Sequence, residues 1–234
     1  HRENAFKNGI TTWDKASSTL LGINGIKSTT IDAIIAVNKS ETSTILPKKI
    51  KNNMYDWRCL EDEIYLDFET FCDVFDNEVK TNSIFMIGVW DKGKYINFTV
   101  KNNSRDEEYR IMREFAIYYK ARGSPKIWFW CAEPKIWETS ENFQMDRFCL
   151  LGNAEEADFI VDNFTITNWA DLACVFREEP ITVKGAFNYG LKEIANAMYN
   201  LNLINVSLSG DILSGLDAAI IAREGLSKGE TDCL

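Results

Sequence analysis

Two acids stand on a strand whose other face is built for a core. The stretch Glu63-Ile64-Tyr65-Leu66-Asp67-Phe68-Glu69-Thr70 puts Ile64, Leu66 and Phe68 on one face at period 2. Tyr65, Asp67 and Glu69 fall on the other. Asp67 and Glu69 are then about 6.5–7 Å apart on one side of a rigid backbone. Carboxylates that close repel and raise each other's pKa, and a divalent cation between them removes that cost. Hard cations such as Mg²⁺ take oxygen ligands at about 2.1 Å. The same pattern also fits a plain polar face at a sheet edge, because Asp is depleted in strands rather than excluded.

Composition narrows the chemistry. The single histidine, His1, is the first residue, so a metal here is held by carboxylates, which favours Mg²⁺ or Mn²⁺. The six cysteines (Cys59, Cys72, Cys131, Cys149, Cys174 and Cys233) form no C-x-x-C pair. That argues against a zinc site or a disulfide framework and fits reduced thiols in an intracellular compartment, cytoplasmic or nuclear. No run of about 18 apolar residues exists to span a membrane. A first residue other than Met implies a fragment or processed product, with no readable signal peptide.

The net charge of −9 speaks against a broad nucleic-acid-coating surface, but the charge is uneven. Residues 1–60 hold 9 Lys/Arg against 5 Asp/Glu, and residues 61–234 hold 17 against 30. This suggests a basic segment joined to an acidic body. Two domains are expected: a helical hairpin with its linker over 1–56, and an α/β domain over 57–234.

In the first, residues 9–38 read as two short helices around Leu21-Gly22-Ile23-Asn24-Gly25-Ile26-Lys27. Thr11 to Asp14 offers the N-cap. The turn resembles a helix-hairpin-helix. In that reading Gly22, Asn24, Gly25 and Lys27 would meet a nucleic-acid phosphate through backbone N–H groups. A plain helical hairpin fits equally. Residues 38–56 read as a polar linker with a basic cluster at Lys48, Lys49 and Lys51.

Beyond the acid-bearing strand, residues 71–82 read as a loop. Strands are expected over 83–91 and 95–101, joined by the turn Lys92-Gly93-Lys94. An amphipathic helix follows over 105–122. A buried strand over 126–131 leads through Glu133-Pro134 into a helix ending near 151. A short strand is expected over 162–168, a helix over 169–177 and a loop over 178–187. Helices over 188–201 and 214–223 complete a mixed sheet with helices on its faces, an α/β architecture. Glu133 before Pro134 is also an ordinary helix start, and Asp171 reads as a cap. Lys184 and Lys192 are candidate phosphate contacts. Trp128, Trp130 and Trp137 read as core, with base stacking as the alternative.

This order, with Asp67-x-Glu69 on the first strand, resembles the RNase H-like fold and within it the DEDD exonucleases. More narrowly it resembles the predicted RecB-like nuclease branch. Tyr65-Leu66-Asp67-Phe68-Glu69-Thr70 matches the first motif, and Ile127-Trp128-Phe129-Trp130-Cys131-Ala132-Glu133-Pro134 the second. Asp171-Leu172 and Tyr189-Gly190-Leu191-Lys192-Glu193-Ile194-Ala195 match the segment before the last acid.

The resemblance covers roughly residues 60–234. It implies a two-metal 3′–5′ exonuclease on DNA or RNA. Asp67 would bridge both Mg²⁺ or Mn²⁺ ions, Glu69 would bind one, and Glu133 would act directly or through water. Asp232 would close the set, with Asp211 and Asp217 as substitutes. Ser227 and Lys228 stand where the family carries a Tyr or His. This departure favours a rival reading, a catalytically inactive module that binds nucleic acid or protein. Either way, the domain could belong to a larger nuclease, helicase or polymerase.

Overall fold

The computed structural model describes residues 2–22, 26–50, 62–71, 82–207 and 215–228. In chain order the helices are α1 (Arg2–Lys7), α2 (Ser18–Leu21), α3 (Ser28–Lys39), α4 (Arg105–Ala121) and α5 (Glu133–Leu150), then α6 (Ala154–Asn163), α7 (Leu172–Glu178), α8 (Leu191–Asn200) and α9 (Gly215–Lys228). The strands are β1 (Ile45–Leu46), β2 (Glu63–Phe71), β3 (Ser83–Asp91), β4 (Lys94–Thr99), β5 (Lys126–Phe129), β6 (Trp169–Asp171) and β7 (Thr182–Val183). The chain forms two compact units, 1–56 with 172–210 and 57–171 with 211–234. Residues 172–210, assigned from the sequence to the α/β domain, thus belong to the unit of the N-terminal helices.

The larger unit is built on a five-stranded mixed sheet of order β4-β3-β2-β5-β6. β3 is antiparallel to both β2 and β4, and β5 and β6 run parallel to β2. Only β3 is reversed. The β3–β4 hairpin turns at Lys92 (φ 46°) and Gly93 (φ 81°), two left-handed residues that suit the twist of paired strands.

The apolar face of β2 is buried as its period requires. Ile64, Leu66 and Phe68 join Phe115 of α4, Trp137 of α5 and Phe164 in one core. Phe68 stacks on Trp137 at 5.9 Å, and Trp137 meets Phe164 at 4.4 Å. On α9, Ala219 and Ala222 pack into the same cluster. Their small side chains allow close approach to β2.

The smaller unit joins α3 to a two-stranded antiparallel pair, β1 with β7. Ser17 caps α2 through Leu20 N–H, and Asp32 of α3 accepts from Ser18 N–H and Oγ. The cap expected at Thr11 to Asp14 is therefore corrected to Ser17. Thr12 precedes a single 3₁₀ turn, with no side-chain cap bond.

Several boundaries differ from expectation. The strand expected over 162–168 is the end of α6, a 3₁₀ turn at Ile166–Asn168, and then β6 over Trp169–Asp171. The alternation Phe164, Ile166 mimics a strand. Yet Phe164 is the C-cap of α6, and its ring fills the aromatic core. Helix α6 itself starts from Asn153, whose side chain accepts from Glu156 N–H at 3.4 Å. The linker and the loop at 178–187 contribute the two short strands of the β1–β7 pair. Among the described residues no helix is long and apolar enough to cross a membrane.

Candidate active site

Asp67 and Glu69 lie on the face of β2 opposite the core, Asp67 exposed and Glu69 half-buried. Asp67 pairs with Gly88 and Glu69 with Met86, and the register shifts between Glu69 and Thr70. A bulge at this place bends the strand and re-aims the side chains beside it. Gly215, the first residue of α9, lies so close that a Cβ on it would be 3.6 Å from Glu69 Oε2. The Glu69 carboxylate thus sits at the N-terminal end of a 14-residue helix, where the dipole favours negative charge.

Glu133 arrives from the neighbouring parallel strand. β5 ends at Phe129, and the chain turns through Cys131, at φ 86°, into α5, with Pro134 in its first turn. A non-glycine residue rarely adopts that φ. Cys131 N–H donates to Asp171 Oδ1 at 3.1 Å, so Asp171 at the end of β6 braces this turn. Asp171, expected to be a helix cap, stands directly before α7 and also ties the ends of β5 and β6 together.

The turn buries Glu133, which is 5% exposed. Its Oε2 has no hydrogen-bond partner. Burial pushes the carboxyl up to about 7. Backbone N–H groups at the helix start oppose that shift, and the neighbouring Asp67 charge adds to it. The helix-start reading of Glu133 is therefore incomplete. A plain cap stays hydrated or finds donors, whereas this acid is desolvated beside another acid.

Tyr95 of β4 belongs to the same neighbourhood. Its phenol is pushed up by burial, then by the Asp67 and Glu69 charges. Sequence reasoning missed it, because its closeness to Asp67 depends on strand register. One signal was legible: a glycine inside the apolar strand Ser83–Asp91, which often marks close approach. A Cβ at Gly88 would lie 3.1 Å from the Tyr95 hydroxyl.

Asp232 and Asp211 lie outside the described residues, and Asp217 is half-buried in the first turn of α9. Among the described residues, no group of three or more Asp, Glu, His or Cys side chains already has the spacing of a metal cage. The donor set nevertheless suits a hard cation. It offers carboxylate oxygens only, one of them buried and unpartnered.

The other candidates lie in the smaller unit. Gly22 ends α2 at φ 54°, and Lys27 is exposed ahead of α3. Asn24 and Gly25 are outside the described residues. The Lys184 ammonium donates to Ser40 O at 2.7 Å. Lys192 is exposed at the start of α8.

Of the tryptophans, Trp137 is fully buried and Trp128 is 2% exposed. The core reading holds for these two, while Trp130 is half-buried. Open hollows lie elsewhere, around Tyr199, Leu203 and Ile204 in one unit and around Lys120, Asp162 and Phe164 in the other. Compared with protein-family models, curated proteins and solved structures, the chain matches none of them.

Proposed function

We propose that this chain is a metal-dependent nuclease of the RNase H-like kind, acting on DNA or RNA from a 3′ end by a two-metal mechanism. The observation that carries this reading is the meeting of Glu133 with Asp67. Asp67 on β2 and Glu133 at the start of α5, just beyond the parallel strand β5, come together, and Glu133 is buried with an unpartnered oxygen. Burying a carboxylate with one oxygen left without a donor is costly, and bound cations would offset that cost. The strand order β4-β3-β2-β5-β6 with β3 alone reversed supports the fold reading.

Asp67, Glu69 and Glu133 would hold the ions. Asp232 completes the set by resemblance, and Asp217 is the alternative carried by the helix that meets Glu69. When bound, Mg²⁺ or Mn²⁺ polarises the phosphodiester, lowers the pKa of a water and stabilises the leaving oxygen. The chain's own contribution is placement: β2 fixes two acids, Asp171 braces the turn that delivers the third, and α9 stabilises the charge on Glu69. The domain would work as part of a larger nuclease, helicase or polymerase.

A second reading has one observation in its favour. Ser227 and Lys228 occupy the positions where the resembled family has a Tyr or His, which suits an inactive binding module.

Incubation with Mn²⁺ and a 5′-labelled single strand separates the two. The nuclease reading expects stepwise shortening that is lost in Asp67→Asn. Internal cuts would keep the site and change the reaction class. An intact strand at millimolar Mn²⁺ would overturn the enzyme reading. Asp232→Asn and Asp217→Asn, assayed alongside, identify the fourth acid.

A further inference from the structure

A row of aromatic side chains crosses the sheet one step from the acids. In register, Tyr65 of β2 pairs with Trp90 of β3, and Trp90 pairs with Tyr95 of β4. Residues directly opposite in paired strands share a face, and Tyr65 shares its face with Asp67 and Glu69. The next row holds Asp67, Gly88 and Asn97. The two rows are therefore about 6.5–7 Å apart.

All three rings are open to solvent: Tyr65 is 43% exposed, Trp90 50% and Tyr95 56%. Three large exposed aromatics in one line mark a recognition surface. On β5 the row continues to Trp128, which pairs with Tyr65. Trp128 is buried, and its Nε1–H donates to Glu63 Oε2 at 2.8 Å. Glu63 Oε1 accepts from the Tyr65 hydroxyl at 2.9 Å. The Tyr65 ring is thus anchored at one end. Lys126 sets an ammonium 4.8 Å from the centre of the Trp128 ring, a cation at the β5 end of the row.

Gly88 matters to this arrangement. With no side chain there, the Tyr95 ring can lean across β3 toward Asp67. A Cβ would lie 3.1 Å from its hydroxyl and 3.4 Å from a ring carbon. Tyr95 therefore links the aromatic row to the acid row.

We infer that the exposed row Tyr65, Trp90 and Tyr95 is a stacking platform for the bases of a single-stranded nucleic acid, whose backbone is thereby brought alongside the row that holds Asp67. The inference rests on the nuclease reading for the identity of the ligand, and it makes that ligand single-stranded. Aromatic faces take any base and give little sequence preference. Paired bases inside a duplex keep their faces stacked on one another and offer none to this row. The acids of the unit repel a phosphate backbone; Lys126 at the β5 end of the row and cations held at the acid site would offset that repulsion, and stacking supplies affinity in addition.

The test is binding of fluorescein-labelled oligo-dT and oligo-rU, each 12 nucleotides long, to the full chain, read by anisotropy. A 12-base-pair duplex is the comparison. Ca²⁺ replaces Mn²⁺ to hold back cleavage. Trp90→Ala and Tyr95→Ala are each expected to weaken single-strand binding about tenfold. Trp90→Phe is expected to restore most of it. In Trp90→Ala and Trp90→Phe, manganese affinity and thermal midpoint are expected to stay near wild type, which separates a binding role from a structural one.

Oligo-dT and oligo-rU binding alike leaves both sugars as substrates, and a preference assigns one; either result supports the platform. Unchanged single-strand binding in both alanine variants, or a duplex bound as tightly as the single strand, would overturn it. If wild type binds manganese and cuts while the variants bind strands normally, the platform fails and the nuclease reading stands. If strand binding falls in the variants but no manganese binds, the reverse holds.

Discussion

Glu108 and Glu133 are both buried carboxylates in the first turns of helices, at 1% and 5% exposure, yet their surroundings are opposite. Glu108 Oε1 accepts from Ile84 N–H at 2.8 Å and Ser140 Oγ–H at 2.9 Å. Its Oε2 accepts from Arg105 Nη1 at 2.8 Å and Gln144 Nε2 at 2.9 Å. One acid thus ties the start of β3 to α4 and α5, with a cation and three neutral donors. Glu133 has an oxygen with no partner and a second acid as neighbour. A buried charge surrounded by donors is part of the fold, whereas one left short of donors is a cost the fold carries for another reason. That difference separates a structural acid from a candidate ligand more reliably than burial alone.

The largest effect expected from this contrast is on stability at Glu108. Glu108→Ala removes the shared acceptor of four donors at once, the Arg105 guanidinium among them. A loss of about 3–5 kcal/mol is expected by urea denaturation. A loss below about 1 kcal/mol would erase the distinction between the two acids.

Glu133→Gln should behave differently. Its folded carboxyl, at about 7, lies above its ordinary value of 4.5, so between those values the folded state holds more proton than the unfolded one. Stability therefore falls as pH rises from about 4.5 through 7. Glu133→Gln is expected to flatten that slope and to stabilise the chain at pH 8 by about 1–3 kcal/mol. Thermal melts of both proteins at pH 5 and pH 8 check this. An equal slope in the two would place the titration elsewhere.

Asp91 titrates with the opposite sign. Hydrogen bonds from Arg122, at 2.6 and 3.0 Å, hold its carboxyl down at about 2 against burial, and Tyr118 adds a further donor. Its contribution is complete above about pH 4 and is lost as pH falls toward 2. Arg122→Ala is expected to move acid unfolding to higher pH, followed by circular dichroism. The smallest effect belongs to the cap beside Glu108. Ser104 Oγ accepts from Glu107 N–H at 3.3 Å, and Ser104→Ala is expected to cost about 1 kcal/mol in the same denaturant series.

Much of the sheet was legible in the chain itself. The period of Ile64, Leu66 and Phe68 defined β2, Lys92-Gly93 defined the hairpin, and the apolar run Ile127 to Phe129 defined β5. These are local patterns with strong periodicity. The stretch after α5 was misread, because Phe164 and Ile166 alternate like a strand while serving as a helix cap and core ring. The cap pattern of Asn153 with Glu156, three residues on, was the legible signal for α6. The β1–β7 pair joins residues far apart in sequence and leaves no local trace.

Within the site, Asp67 and Glu69 stood out as acids opposite an apolar face. The burial of Glu133, the brace from Asp171 and the lean of Tyr95 across Gly88 follow from register and turn geometry, which periodicity does not encode. Glu108 was equally hidden. Its helix start could be read from Ser104 and Glu107, but not the four donors around it.

The most direct measurement of the central claim is a calorimetric titration with Mn²⁺ at pH 6.5 and pH 8.5, each in buffers of different ionisation enthalpy. A cation held by Glu133 must displace the proton that this acid keeps near neutral pH. Release of most of a proton is expected at pH 6.5, almost none at pH 8.5, and none in Glu133→Gln. Binding is expected to disappear in Asp67→Asn. Absence of binding at millimolar Mn²⁺, or binding unaltered by both substitutions, would contradict the account.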